Sequence, residues 1–493
     1  MNQMNWLAVL PEIVLLAMAL VVTLADLWVT DPRRTLTYWL TQLSLAAVAG
    51  LHLWALDAGQ TVYAMQDMVV ADPMSHLLAA FATVCVIVTL AYSRDYALER
   101  DMLKGELFTL SMFSLLGTNV IVSANNFLVI YVGLELMTLS LYALTALRRD
   151  NLNATEAAMK FFVLGALASG FLLYGLSMMY GATGSLHIPT VFDAIFAGAA
   201  DESVLVFGVV FVVAGVAFKL GAVPFHMWLP DVYHGAPTAI TLLIATAPML
   251  AGFGMIIRLL VEGMFALAVD WQQMLVVLAI ASLTVGNLAA IAQTNLKRML
   301  AYSTIGQMGF VLLGLTVGMV HGQTYSAANG YGSALYYMVT YVLTTLGTFG
   351  LIMLLARRGF EAEEIADFKG LARRSPWFAA VMGIFMFSLA GVPPTMGFYA
   401  KFAVLQSLIS TNSLGYFWLA GVAILFSLVG AFYYLRVVKV MYFDEPLQTQ
   451  PLAESRQLRA LLSLNGVAVL ALGLLPGGLM ALCTQAMLKT LST

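Results

Sequence analysis

Apolar residues along this chain gather in blocks close to the roughly 20 residues that a helix needs to cross the core of a bilayer. Short polar turns separate them. Fourteen blocks can be laid out, at 6–28, 37–56, 74–93, 106–123, 126–147, 157–180, 203–222, 237–261, 273–291, 299–318, 331–356, 378–410, 414–440 and 458–482. The pattern predicts an all-α polytopic membrane protein of about 14 transmembrane helices. The block at 378–410 is long enough to be one broken helix or two short ones. No polar gap could hold a folded domain, which takes at least about 50 residues. The start, MNQMNWLAVLPEIVLL, lacks a basic leader and a small-residue cleavage site, so the first block is expected to be a retained helix.

The basic residues follow the same division. All but four of the 23 Lys and Arg residues fall in or beside alternate loops: Arg33 and Arg34; Arg94, Arg100 and Lys104; Arg148, Arg149 and Lys160; Lys297 and Arg298; Arg357, Arg358, Lys369, Arg373 and Arg374; Arg436, Lys439, Arg456 and Arg459. Positive charge marks the cytoplasmic side. The alternation therefore predicts an even helix count with both termini outside, the loop after the seventh block being the one basic-poor exception.

Composition sharpens the class. Of 493 residues, 61% are hydrophobic and 10% charged, against roughly 25% charged in a soluble domain. A soluble enzyme and a disordered chain are excluded. A net charge of −3 offers no basic excess for nucleic acid. Two cysteines, Cys85 and Cys483, exclude a disulfide framework, a cysteine-rich zinc site and an iron–sulfur cluster on this chain alone. AGFGMI has two glycines but follows no strand, so no nucleotide-binding signature is expected.

The candidate chemistry lies in charges placed inside spans, where an ionisable group costs at least about 2.5–3.5 kcal/mol. Lys219 stands in GVAFKLGAVPFHMW, just before Pro224, and Lys401 in SLAGVPPTMGFYAKF, after Pro393 and Pro394. Proline removes a backbone donor and opens the helix. A lysine beside such a break either lines a hydrated pocket or snorkels to the surface. Two in corresponding halves of the chain suit the discontinuous helices of inverted-repeat transporters. Glu135, in FLVIYVGLELMTLSLYAL, sits roughly 13–14 Å deep and has no basic residue one turn away. It is either a neutral hydrogen-bonded carboxyl or the partner of a charge on another helix, with Lys219 the obvious candidate. His226, beside the first break, has a side chain whose ordinary pKa suits a proton relay. Lys160 follows Glu156 by one turn, so a local ion pair and a role in cytoplasmic proton uptake are both open. Arg258 and Glu262 read as a pair at a helix end, and Glu12 as an interfacial group. Lys297 and Arg298 read as topology determinants, and His52, His76, His187 and His321 as interface or loop residues. No histidine pattern suggests a metal site.

The strings VGLELMTLSLYAL, EAAMKFF, FKLGAVPFHMWLPDVYHGAPT, QTNLKRMLAYSTIGQMGF and LAGVPPTMGFYAKF resemble the antiporter-like membrane subunits of respiratory complex I, the NADH–quinone oxidoreductase, in particular the N-type branch. The resemblance runs from about residue 100 to 440. It implies three N-terminal helices over 1–100, two inverted five-helix repeats at 101–262 and 270–440 with discontinuous helices 7 and 12, and a C-terminal helix in 458–493. It implies a translocase subunit of a bacterial inner membrane that couples NADH-to-quinone electron transfer in other subunits to proton pumping. Glu135 and Lys219 match the family's glutamate–lysine pair, Lys401 its terminal lysine, and His226 and Lys160 residues lining the proton path. NADH, FMN, iron–sulfur clusters and quinone would belong to partner subunits, with no cofactor on this chain. K-type and M-type membrane subunits would be its neighbours. One departure stands out: Met249 occupies the place of a helix 8 lysine, so water or a hydroxyl such as that of Thr246 would have to bridge the axis. Alternatives are a cation/proton antiporter subunit and a membrane subunit that no longer pumps.

Overall fold

The computed structural model describes residues 4–198, 201–324, 327–446 and 456–492. The chain is a bundle of helices in which every predicted hydrophobic block is occupied by helix. Among the described residues, eleven helices are long and apolar enough to cross a membrane.

The N-terminal part comprises α1 (Leu10–Asp26), α2 (Thr35–Ala58) and α3 (Pro73–Glu99), with a small antiparallel hairpin, Val62–Ala64 with Val69–Ala71, between α2 and α3. Asp72 starts α3 through a capping box with Ser75, which satisfies two of the helix's free amides. Next come α4 (Gly105–Val122), α5 (Phe127–Thr145), α6 (Leu152–Thr183) and a short connecting helix, α7 (Ile188–Phe196). Asn126 and Asn151 cap α5 and α6.

The seventh block is broken into α8 (Glu202–Leu220) and α9 (Trp228–Gly235). The eighth is built from α10 (Thr238–Ile244), α11 (Ala247–Ile256) and a π-helical turn, Ile257–Gly263. Then follow α12 (Ala268–Ile291), α13 (Leu296–Leu315), α14 (Ala327–Leu355) and a one-turn helix, α15 (Leu371–Arg374). The long block at 378–410 is two helices, α16 (Pro376–Ala390) and α17 (Met396–Ile409). The chain finishes with α18 (Leu414–Phe443), α19 (Arg456–Leu474) and α20 (Gly477–Leu491).

Both breaks use one device. The strings GAVP and GVPP end α8 and α16, with Gly221 at φ +68° and Gly391 at φ +85°. In each, the glycine and the residue after it donate backward onto the last helical turn: Gly221 and Ala222 to Phe218 and Ala217, Gly391 and Val392 to Ser388 and Phe387. That closure needs a left-handed residue, which glycine adopts at no steric cost. A cis proline follows three residues on, at Pro224 and at Pro394. The central helices α10, α11 and α14 are almost wholly buried, whereas α1, α18 and α19 present broad apolar faces outward.

Candidate functional site: a row of buried polar groups

Each break leaves carbonyls without helical partners, and buried carbonyls must be satisfied. At the α8 break, the Trp228 indole donates to the Phe218 carbonyl at 2.9 Å, and the Val223 amide donates to Ser282 Oγ of α12 at 2.9 Å. Trp228 also stacks between Phe161 and Phe218, with centroids 4.7 and 5.4 Å away. Trp228 of the PFHMW string thus adds a side-chain donor at the helix end before the proline.

Lys219 lies in the last turn of α8. Its ammonium has no hydrogen-bond partner and sits 5.6 Å from the Phe218 ring centroid. Glu135 of α5 is the charge that acts on it. The two do not form a direct ion pair, and Glu135 Oε1 is buried without a partner. Both groups are thus buried without a hydrogen-bond partner. Glu135 sits beside an outward stripe of Leu128, Val132 and Leu139. His226, half-buried just after the break, carries an unpartnered Nδ1.

At the α16 break, Lys401 Nζ of α17 donates to the Ala390 carbonyl at 2.9 Å and to Ser427 Oγ at 3.0 Å. It also stands 5.2 Å from the Phe310 centroid. The neighbouring Leu389 carbonyl accepts from Gln307 Nε2 at 3.1 Å. Gln307 continues the row, accepting from Tyr337 and donating to Tyr434, which pairs with Ser303. Tyr433 donates to Asn287 Oδ1 at 3.1 Å, and the Tyr433 and Tyr434 rings touch at 4.3 Å. Asn287 fits a notch between Gly306 and Gly430, where an added Cβ would lie 3.2 Å from its Nδ2 and 2.5 Å from its Oδ1 respectively.

Between the two halves, Met249 is buried on α11. The Thr246 hydroxyl is occupied at the junction of α10 and α11, donating to the Leu242 carbonyl at 2.9 Å. Ser282 and Asn287, both on α12, supply the polar groups that α11 lacks.

Lys160 belongs to a separate ion cluster. It pairs with Glu156 and Asp231, both at 2.8 Å, and Arg298 reaches the other oxygen of Asp231 at 2.9 Å. The Lys160 side chain is 43% exposed there. Lys297, read from sequence as a topology determinant, is buried and donates to the His234 and Ala236 carbonyls at 3.0 and 2.7 Å, capping α9. Arg258 does pair with Glu262, and also with Asp72 at 2.8 Å, with both Arg258 and Asp72 almost fully buried. Asp231, Asp72, Asn287, Tyr337 and Tyr434 were not singled out by sequence. Their partners lie tens to hundreds of residues away, so no local spacing marks them. No group of three metal-ligating side chains occurs among the described residues.

This geometry defines a class: a polytopic helical membrane protein with paired helix breaks, each with a buried lysine beside it. Residues 124–427 match the NADH:quinone oxidoreductase/Mrp antiporter transmembrane family. The chain is 60% identical to NADH-quinone oxidoreductase subunit N of Polaromonas naphthalenivorans, over 98% of this chain and 97% of that one. It is 59% identical to the same subunit of Herminiimonas arsenicoxydans over the full length of both. A chain of respiratory complex I from Thermus thermophilus superposes with a TM-score of 0.79 at 29% identity, covering 96% of this chain and 98% of that one. The chain belongs to this family of membrane subunits, and its place is among the N subunits of NADH-quinone oxidoreductase, the antiporter-like, proton-pumping subunits of the complex I membrane arm.

Proposed function

We propose that protons cross this subunit along the row Glu135, Lys219, Ser282, Asn287, Tyr433, Tyr434, Gln307 and Lys401. The observation that carries the reading is the placement of both lysines beside helix ends created by the same break. A half-helix directs the negative end of its dipole at a cation held there. Lys219 has no bonded partner, so its charge rests on Glu135 across a gap. When a neighbouring subunit shifts that carboxylate, the lysine loses its support and releases its proton to the hydroxyl and amide groups of α12. Two groups coupled in this way titrate as a pair. Water and the side chains of α12 bypass Met249, and Lys401 receives the proton at the far end. Glu135, beside an outward apolar stripe, needs a partner subunit to seal it from lipid, since an exposed carboxylate in hydrocarbon is costly.

Lys160, held with Arg298 on Asp231, serves cytoplasmic uptake, with His226 between that cluster and the first break. The distribution of basic loops supports a cytoplasmic position for Lys160 in a bacterial inner membrane, with both termini outside. The row joins the repeats at 101–262 and 270–440. Redox chemistry stays in partner subunits, where NADH, FMN, iron–sulfur clusters and quinone reside, and this chain acts as the translocase part of the enzyme.

The test is NADH-driven acidification of inverted vesicles carrying Asn287→Leu at matched electron flux. A proton-to-electron ratio reduced several-fold is expected. An unchanged ratio would remove Asn287 from the path and overturn the row as proposed.

A further inference from the structure

Serine and threonine hydroxyls inside a helix commonly donate back to a carbonyl one turn before them. On the helices around the first lysine, Thr138 and Ser140 of α5 do so onto Leu134 and Leu136 at 2.9 and 2.8 Å, and Ser177 of α6 onto Leu173 at 2.8 Å. Ser169 of α6 does not. It is 4% exposed, and its Oγ is buried without a hydrogen-bond partner. Tyr142 of α5 is 8% exposed, and its hydroxyl is buried and equally unpartnered. A buried hydroxyl left unsatisfied costs about 1–3 kcal/mol. Both therefore call for a partner that their own helices do not supply.

Packing places the two hydroxyls on the way to Lys219. The Tyr142 ring stands edge-on to Phe161 and Phe162, with centroids 4.7 and 5.7 Å away. That holds its hydroxyl against Gly165 of α6, where an added Cβ would overlap it. Ser169 follows Gly165 by one turn on the same face. Residues so spaced stand about 5–6 Å apart at Cβ, a span that one water closes. Helices α6 and α8 run antiparallel in close contact: a Cβ on Gly175 would lie 2.8 Å from the Val212 nitrogen, and one on Gly215 2.7 Å from Leu172 Cβ. The same register, continued by one turn, sets Lys219 beside Ala168 and Ser169.

Glu135, whose charge acts on Lys219, acts on Tyr142 as well. Glu135 Oε1, Tyr142 Oη, Ser169 Oγ and Lys219 Nζ are thus unpartnered polar atoms on the facing sides of α5, α6 and α8. Clustered groups of this kind are the partners that buried water takes. At 1.5 Å per residue, Gly165 and Ser169 lie roughly 7–8 and 13–14 Å further along α6 than Lys160.

We propose that Tyr142 and Ser169 form the relay that reloads Lys219 from the cytoplasmic side. Tyr142 takes the proton at the depth of Gly165, and Ser169 passes it through bridging water to the lysine amine. Each hydroxyl gives its own proton forward and takes one from behind, so neither changes charge over a cycle. The relay rests on the reading that Lys219 releases a proton in each cycle, and it supplies the leg between that lysine and Lys160.

The test uses the assembled oxidoreductase in inverted vesicles, with NADH as the electron source and electron flux matched. Ser169→Ala and Tyr142→Phe each remove only a hydroxyl. Each should lower the initial acidification rate several-fold and raise the ratio of rates in H2O and D2O. Each should leave the melting temperature at or above that of wild type, because an unpartnered hydroxyl supports no contact. The double variant should be no slower than the slower single one, as for two steps in series. Wild-type acidification in both single variants would overturn the proposal. So would a loss that accompanies a lowered melting temperature with an unchanged isotope ratio. Lys219→Ala separates the two readings. If it lowers acidification while the hydroxyl variants do not, the lysine row stands and the relay falls; if it too acidifies as wild type, the row fails and the relay with it.

Discussion

Lys401 Nζ donates to the carbonyl oxygen of Ala390, the last residue of α16, at 2.9 Å. A helix C-terminus exposes carbonyls that no amide of its own turn can satisfy, and a cation there gains from the helix dipole. The lysine thus closes the helix end that the GVPP break opened, and the break holds the lysine charge inside the bundle. Removing either disturbs both.

Gly391→Ala should show this coupling. An alanine Cβ would lie 2.7 Å from Lys401 Cδ, and the residue sits at φ +85°. Left-handed backbone costs roughly 1–2 kcal/mol for a residue with a side chain. The expected outcome is an assembled complex of lower thermal stability, with proton transfer reduced at least several-fold in vesicle acidification assays.

Asp231 is the anchor that brings Lys160 and Arg298 together. Exposed ion pairs are worth about 0.2–1 kcal/mol each, so Asp231→Asn should barely change stability. It should change pumping to the same extent as Lys160→Ala, and the double variant should be no worse than either single one. A double-mutant cycle on initial acidification rates measures this, and additive losses would contradict it.

Asp72→Asn should be far more damaging to the fold. It removes one of two carboxylates from an almost fully buried Arg258. Breaking one side of a buried pair costs about 3–5 kcal/mol. Reduced assembly and a lowered melting temperature are expected. Glu99→Gln should do neither, because its half-exposed carboxylate lies 3.7 Å from an Arg100 that Glu361 already holds at 2.9 Å.

Glu361 gives a pH-dependent contribution. Burial opposes its charge, but Arg100 and the Tyr96 hydroxyl outweigh that and hold its carboxyl below the usual glutamate value. A carboxyl depressed in the folded state stabilises above its unfolded pKa, and that contribution is lost as pH falls through the folded value. Wild type should therefore be more stable than Glu361→Gln at neutral pH. The difference in melting temperature should shrink on acidification below the ordinary glutamate range.

The sequence carried the hydrophobic blocks and the two breaks, because span length and the strings GAVP and GVPP are local signals. It carried Lys219, Lys401 and Glu135 for the same reason: a charge among apolar residues needs no partner to be noticed. The partners themselves were not legible. Gln307 meets Tyr434, Lys160 meets Asp231 and Arg258 meets Asp72 across long stretches of chain, and only packing brings them together. Lys297 looked like one more loop charge, yet it caps α9 from inside the bundle. His52 and His76 each looked like an interfacial residue, and their pairing depends on how α2 lies against α3. Thr246, read as a hydroxyl that could bridge past Met249, stands between α10 and α11 and donates to the Leu242 carbonyl of α10, a contact between helix segments that the sequence did not show.

The most direct test of the account is NADH-driven acidification of inverted vesicles, comparing wild type with Lys219→Ala at matched electron flux. The account predicts an assembled complex whose proton gradient is abolished or strongly reduced, because Lys219 is the buried cation at the end of the first broken helix. A proton-to-electron ratio equal to wild type would contradict it and would make this chain a scaffold for proton paths that run elsewhere.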